Sequence, residues 1–174
     1  MFREMRRKQQ QIDQELCIEV LKRNSTGVMG LIGDNGYPYT VPITYGYKDG
    51  CLYMHCAKKG YKLDLIARDP HASFTVIDQD LPDSPKFTNR FRSVICFGTA
   101  EYLESEEDRR EAAMILTKQS FPEKTEDDIN KMIDVKMPAL GGIRFTIVHM
   151  TGKESRFVAQ ERTGKSMPIP KPGE

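Results

Sequence analysis

The chain contains no tryptophan, only three histidines and only four cysteines among 174 residues. The cysteines, Cys17, Cys51, Cys56 and Cys96, lie scattered in apolar contexts, too sparse for a disulfide framework. That pattern predicts reduced thiols in a cytosolic protein. No apolar run approaches the ~20 residues that cross a bilayer as a helix. The opening MFREMRRKQQQ is charged but has no apolar segment behind it, so it does not read as a secretory signal. Acidic and basic residues nearly cancel to a net charge of +1, so no global field recruits nucleic acid or an anionic membrane. Any anion site must be a local cluster. Cys51, His55 and Cys56 do not match zinc-module spacing, and no second ligand pair follows, so no metal site is expected.

The length fits a single domain. Residues 1–11 read as a basic arm. Ile12, Leu16, Cys17, Val20 and Leu21 recur at helical spacing up to Asn24. The period then shifts to two. Gly27–Ile32, Tyr37–Tyr47 and Cys51–Cys56, separated by turn signals, predict an antiparallel meander. A helix follows over Gly60–Arg68, stopped by Asp69-Pro70. Ala72–Ile77 is a fourth strand, Asp78–Arg90 a proline-containing loop, and Ser93–Tyr102 a fifth strand. Ser105 is placed as the N-cap of a helix with three acids in its first turn, and Thr125 opens another. Ile143–Met150 is the sixth strand. The expected fold is mainly β (α+β): a six-stranded antiparallel barrel, closed to remove its edges, with peripheral helices. The domain spans 1–155, and residues 156–174, rich in proline towards the end, are expected to be a poorly ordered tail.

The segment YMHCAKKGYKLDLIAR, residues 53–68, carries the chemistry. A strand ends at His55-Cys56-Ala57 and a helix begins near Gly60, with Lys58, Lys59 and Lys62 crowded at its start. Cations beside a helix N-terminus are mildly unfavourable unless an anion sits among them. A phosphate fits, taking N–H groups from the helix and a lysine as point charge. A solvated lysine-rich turn is the plain alternative. His55 would reach the barrel rim as a hydrogen-bond or proton donor, or be a satisfied, partly buried histidine. His71 reads as structural, and His149 is open. Pro42 within Val41–Tyr45 marks an edge, a bulge or a place where a flat ring approaches.

Taken in order, VPITYGY, YMHCAKKGYKLDLI, DPHASFTV, FRSVICFGTAEYLE and HMTGKES resemble the pyridoxamine 5'-phosphate oxidase-like flavin-binding split barrels, and within them the nitroimidazole-resistance branch. The resemblance covers roughly residues 1–155. It implies a homodimer with FMN, or alternatively FAD, at the subunit interface. It places Pro42, Ile43, Thr44 and Tyr45 against the ring. His55, Cys56 and Ala57 would lie along the ring edge, and Lys62 at the phosphate with Lys59 or Gly60 assisting. Arg92 and Ser93 would reach in from the loop side, in the same or the partner's site. Vitamin B6 oxidases of this kind carry an arginine just before the phosphate lysine; here Tyr61 stands there. Their C-terminal substrate residues also lack a counterpart. Both departures argue against vitamin B6 oxidation. The expected function is a flavin-dependent oxidoreductase with His55 as its catalytic residue, acting on a small acceptor such as a nitroimidazole. The alternatives are a non-catalytic flavin- or drug-sequestering protein and a barrel holding deazaflavin or haem.

Overall fold

A computed structural model describes residues 1–166. The strands are β1 (Gln11–Ile12), β2 (Thr26–Ile32), β3 (Pro38–Thr44), β4 (Gly46–Lys48), β5 (Cys51–Ala57), β6 (His71–Asp83), β7 (Thr88–Tyr102) and β8 (Leu140–Glu154). The helices are α1 (Gln14–Arg23), α2 (Tyr61–Arg68), α3 (Glu106–Ser120), α4 (Glu126–Lys136) and α5 (Arg156–Thr163). One antiparallel sheet runs in the order β3-β2-β6-β7-β8-β5-β4, and β1 pairs with the end of β8.

The two edges of this sheet are consecutive in the chain. β3 is the first strand in the order and β4 the last, yet only Tyr45 separates Thr44 from Gly46. Two peptide units span at most about 7.6 Å between Cα atoms. The sheet is therefore curled until its edges meet, while no hydrogen-bonded pairing joins β3 to β4 or β5 among the described residues. The expected split barrel is present, but it has eight strands rather than six and its ladder is not closed. The expected meander is also interrupted. β2 pairs with β3 and β4 with β5, but the run 37–47 breaks at Tyr45, which turns into the core.

α1 plugs the barrel. Its Cys17, Val20 and Leu21 join Met29, Leu52, Met54, Phe74 and Phe145 in one buried cluster. Fully burying one such side chain contributes about 1.5–3 kcal/mol. Tyr45 is fully buried, edge-on to Phe74, and its hydroxyl donates to the Leu21 carbonyl at 2.8 Å. That bond satisfies the one polar atom this core takes from water at Tyr45. Asp13, Ser105, Thr125 and Ser155 cap α1, α3, α4 and α5 with side-chain oxygens, so two of the four caps match the sequence expectation.

Two further expectations are corrected. Asp78–Arg90 is not a loop: β6 and β7 continue through it as a hairpin, with Pro82 opposite Asn89 in the ladder. The tail boundary also moves. Arg156–Thr163 form α5, which buries Val158 and Ala159. Pro168, Pro170 and Pro172 lie outside the described residues. No helix is long and apolar enough to cross a membrane among the described residues.

Candidate functional site

β5 delivers its side chains alternately to two sides. Leu52 and Met54 enter the barrel core, and Cys56 packs against it. Cys51 and His55 face the other way, as the period of two requires. Immediately after β5 the chain turns through Lys58, Lys59 and Gly60. Gly60 has φ +141°, a conformation that disfavours any side chain, and open space surrounds its Cβ position. α2 starts at the next residue. The amides of Leu63 and Asp64 bond back to the Gly60 carbonyl, while those of Tyr61 and Lys62 precede any helical acceptor. Lys62 is half-buried in this first turn, and its charge favours the Cys56 thiolate, although burial pushes that thiol up overall. Tyr61 and Arg68 both donate to Asp34, and Tyr61 packs edge-on to Tyr39 of β3, fixing α2 against that strand.

β3 is an edge strand. Pro42 is exposed, opposite Val28, while Val41 and Ile43 pack on the core and Thr44 is half-buried at the strand end. Ala57 and Lys59 are exposed. Thus Pro42, Ile43, Thr44, Cys56, Ala57, Lys59, Gly60 and Lys62 all belong to the seam between β3 and β5 and to the turn beyond it. A phosphate fits this turn: it offers unpaired amides, a lysine and no Cβ at Gly60.

Tyr45 does not belong to this surface, because the core holds it. His55 lies apart from Cys56, at a cavity of about 510 Å³ bounded by α3 and α4. Burial and the nearby Lys136 charge hold its pKa below the ordinary histidine value, so the ring is neutral at pH 7. Arg92 lies far from both. His55 pairs with Gly142 and Arg92 with Glu154, near opposite ends of β8. At about 3.3 Å per residue these positions stand up to roughly 40 Å apart.

The Arg92 guanidinium is held between two carboxylates. It donates from Nε to Glu154 at 3.0 Å and from Nη1 to Asp78 at 3.2 Å, and its Nη2 lies 2.9 Å from the Glu154 carboxylate as an ion pair. Glu154 is fully buried and also accepts from Arg162 of α5 at 2.7 Å. Asp78 accepts from Arg23 at 2.6 and 2.7 Å. Burial works to raise the Asp78 carboxyl, and hydrogen bonds from Arg23 and Asn24 outweigh it and hold it low. Ser93, the next residue, points to the opposite side of β7, as strand alternation requires. Sequence reasoning missed this network, because its members are spread over five elements.

The cavity beside His55 was also missed, although its signal was present. Ile129, Met132, Ile133 and Lys136 recur at helical spacing along α4. No group of three or more metal-ligating side chains occurs among the described residues, and all four cysteines are free thiols.

Residues 13–154 match the family model described as pyridoxamine 5'-phosphate oxidase. No curated protein matches the sequence. Among solved structures, a conserved hypothetical protein of Mycobacterium tuberculosis, Rv2991, is similar with TM-score 0.75 and 20% identity, covering 98% of this chain and 100% of that one. A candidate 5-nitroimidazole antibiotic resistance protein of Bacteroides thetaiotaomicron gives 0.68 and 21%, over 83% and 86%. An FAD and haem binding protein of Mycobacterium smegmatis gives 0.67 and 19%, over 95% and 90%. At these identities the likeness establishes the fold.

Proposed function

This chain belongs to the pyridoxamine 5'-phosphate oxidase family, and on that premise we propose that it binds a flavin, FMN first and FAD as the alternative, and reduces a small acceptor such as a nitroaromatic. The observation that carries this reading is the β5–α2 turn. An open Gly60, two unpaired helix-start amides and Lys62 form an anion cradle next to the exposed edge of β3. Solved relatives described as FAD-binding and as a 5-nitroimidazole resistance protein support the ligand and the acceptor class.

A bound flavin supplies two-electron redox chemistry that no side chain here supplies. The chain does the rest. Lys62 and the first-turn amides of α2 hold the phosphate. Pro42, Ile43 and Thr44 give the ring a flat, largely donor-poor edge. His55 lies on the other side of β5, at the α3–α4 cavity, and is not assigned a role at the ring.

Two copies are proposed to share the sites. Exposed Ile77, Leu81, Phe87 and Ile95 on the β6–β7 hairpin supply an apolar contact face. Ala57, at the flavin seam, pairs with Leu140 and Ser93 with Lys153, near opposite ends of β8, a separation that fits Ser93 serving the partner's flavin. The absorbance spectrum of the purified protein, with mass spectrometry of what heat releases, tests the reading. Flavin bands that vanish in Lys62→Ala are expected. A colourless protein that takes up neither FMN nor FAD refutes it. A flavin that stays oxidised with excess NADH, NADPH and a protein reductase would leave binding without turnover.

A further inference from the structure

The α3–α4 cavity is built separately from the barrel. Ala113, Ile129, Ile133 and Met137 form a second buried cluster, on which Met132 and Leu140 pack. Ala113, Leu116, Ile129, Met132 and Ile133 form an apolar sleeve in the cavity wall along α4. Its two ends are polar and different. Lys124, Asp128 and Phe121 stand at one end. At the other stand His55 and Lys136, eight residues further along α4, or about 12 Å.

The charges at the two ends decide the ligand. Lys124 and Asp128 cancel, and the Asp128 carboxylate already accepts from the Thr125 hydroxyl at 2.7 Å, while the Asp128 amide donates back to that hydroxyl at 3.2 Å. Lys136 has no salt-bridge partner among the described residues. It sits at the C-terminal end of α4, where the helix dipole favours a cation. Beside it the imidazole of His55 offers a hydrogen bond. We propose that this cavity binds a monocarboxylic acid with an elongated aryl or alkyl body. The body fills the apolar sleeve, and the carboxylate meets Lys136 and His55.

The site is separate from the β3–β5 seam and does not rest on the flavin reading. The absence of tryptophan gives a clean probe: Phe121→Trp places one indole at the mouth of the cavity. Titration with phenylbutyrate is expected to change its fluorescence saturably, and phenylbutanol to bind about tenfold more weakly, the worth of one charged hydrogen bond. Lys136→Met should weaken the acid about tenfold and leave the alcohol unchanged. Methionine-methyl NMR of the unaltered chain should report the same binding through Met132. Lys62→Ala, which strips the flavin if that reading holds, should leave both affinities intact. Equal binding of acid and alcohol, no effect of Lys136→Met, or loss of acid binding in Lys62→Ala each overturns the proposal. Because flavin content is read independently by absorbance, the two readings can fail separately.

Discussion

Replacing Glu154 by alanine tests the buried network most directly. Glu154 is fully buried and joins three elements: β8, which carries it, Arg92 of β7 and Arg162 of α5. Its removal affects the two arginines unequally. The Arg162 side chain is 35% exposed and can turn to water, whereas Arg92 is 13% exposed and keeps only Asp78, at 3.2 Å. Leaving a buried charge with its main partner gone costs about 3–5 kcal/mol. Because Asp78 remains, the lower figure of about 3 kcal/mol applies. For a chain of this size that corresponds to a Tm lower by roughly 6–12 °C. The assay is urea unfolding followed by circular dichroism, at one fixed protein concentration so that self-association does not shift the midpoint. Adding Arg92→Met to Glu154→Met should recover much of the loss, since an apolar pair of similar volume removes the stranded charge. A Glu154→Ala loss below about 1 kcal/mol, the range of exposed ion pairs, would refute the view that this network is desolvated.

Gly98→Ala should lower the stability read from urea unfolding by about 1–3 kcal/mol, because a Cβ there would stand 1.9 Å from the Thr146 carbonyl oxygen across the β7–β8 ladder. A neutral effect would mean that the two strands separate freely. His55 titrates below its ordinary value, so the folded state binds its proton less readily than the unfolded chain. Stability linked to it is present above about pH 6.5 and is lost as pH falls through the folded pKa. His55→Gln should flatten that part of the urea-midpoint profile, and an unchanged slope would refute the assignment. Burial pushes the Cys17 thiol up to about 11 and the Cys96 thiol up to about 12. Iodoacetamide near pH 8 should therefore label only Cys51 and Cys56 in the native protein, read by peptide mass spectrometry. Labelling of Cys17 or Cys96 without denaturant would contradict it.

The sequence was legible where one face of an element is buried. α1, α2 and α3 follow their apolar spacing, and the Ser105 and Thr125 caps stand where their side-chain chemistry puts them. The β6–β7 hairpin was misread because it runs beyond the core. From Ile77 to Asp83 no apolar side chain is buried, so no alternation of apolar residues marks the strand. The run 37–47 was misread for the opposite reason. Tyr45 continues the apolar alternation, so the pattern passes unbroken through the point where the chain changes sheet edge. For the site, the lysine turn and the Pro42 edge were visible as local chemistry. That His55 faces α3 and α4 depended on helices about sixty residues away, which no local spacing encodes.

β8 bonds to β7 along one edge and to β5 and β1 along the other. Without it β1 has no partner and the rest of the sheet is two unconnected pieces, β3-β2-β6-β7 and the β4-β5 hairpin. Among the described residues it is also the last strand to leave the ribosome. Such long-range pairings close slowly. During synthesis both pieces must wait with open edges until residues 140–154 emerge, the interval in which a chaperone would have most to protect. A stalled chain ending before Leu140 should accordingly be more prone to aggregation and proteolysis than one ending after Glu154, which holds every strand of the barrel.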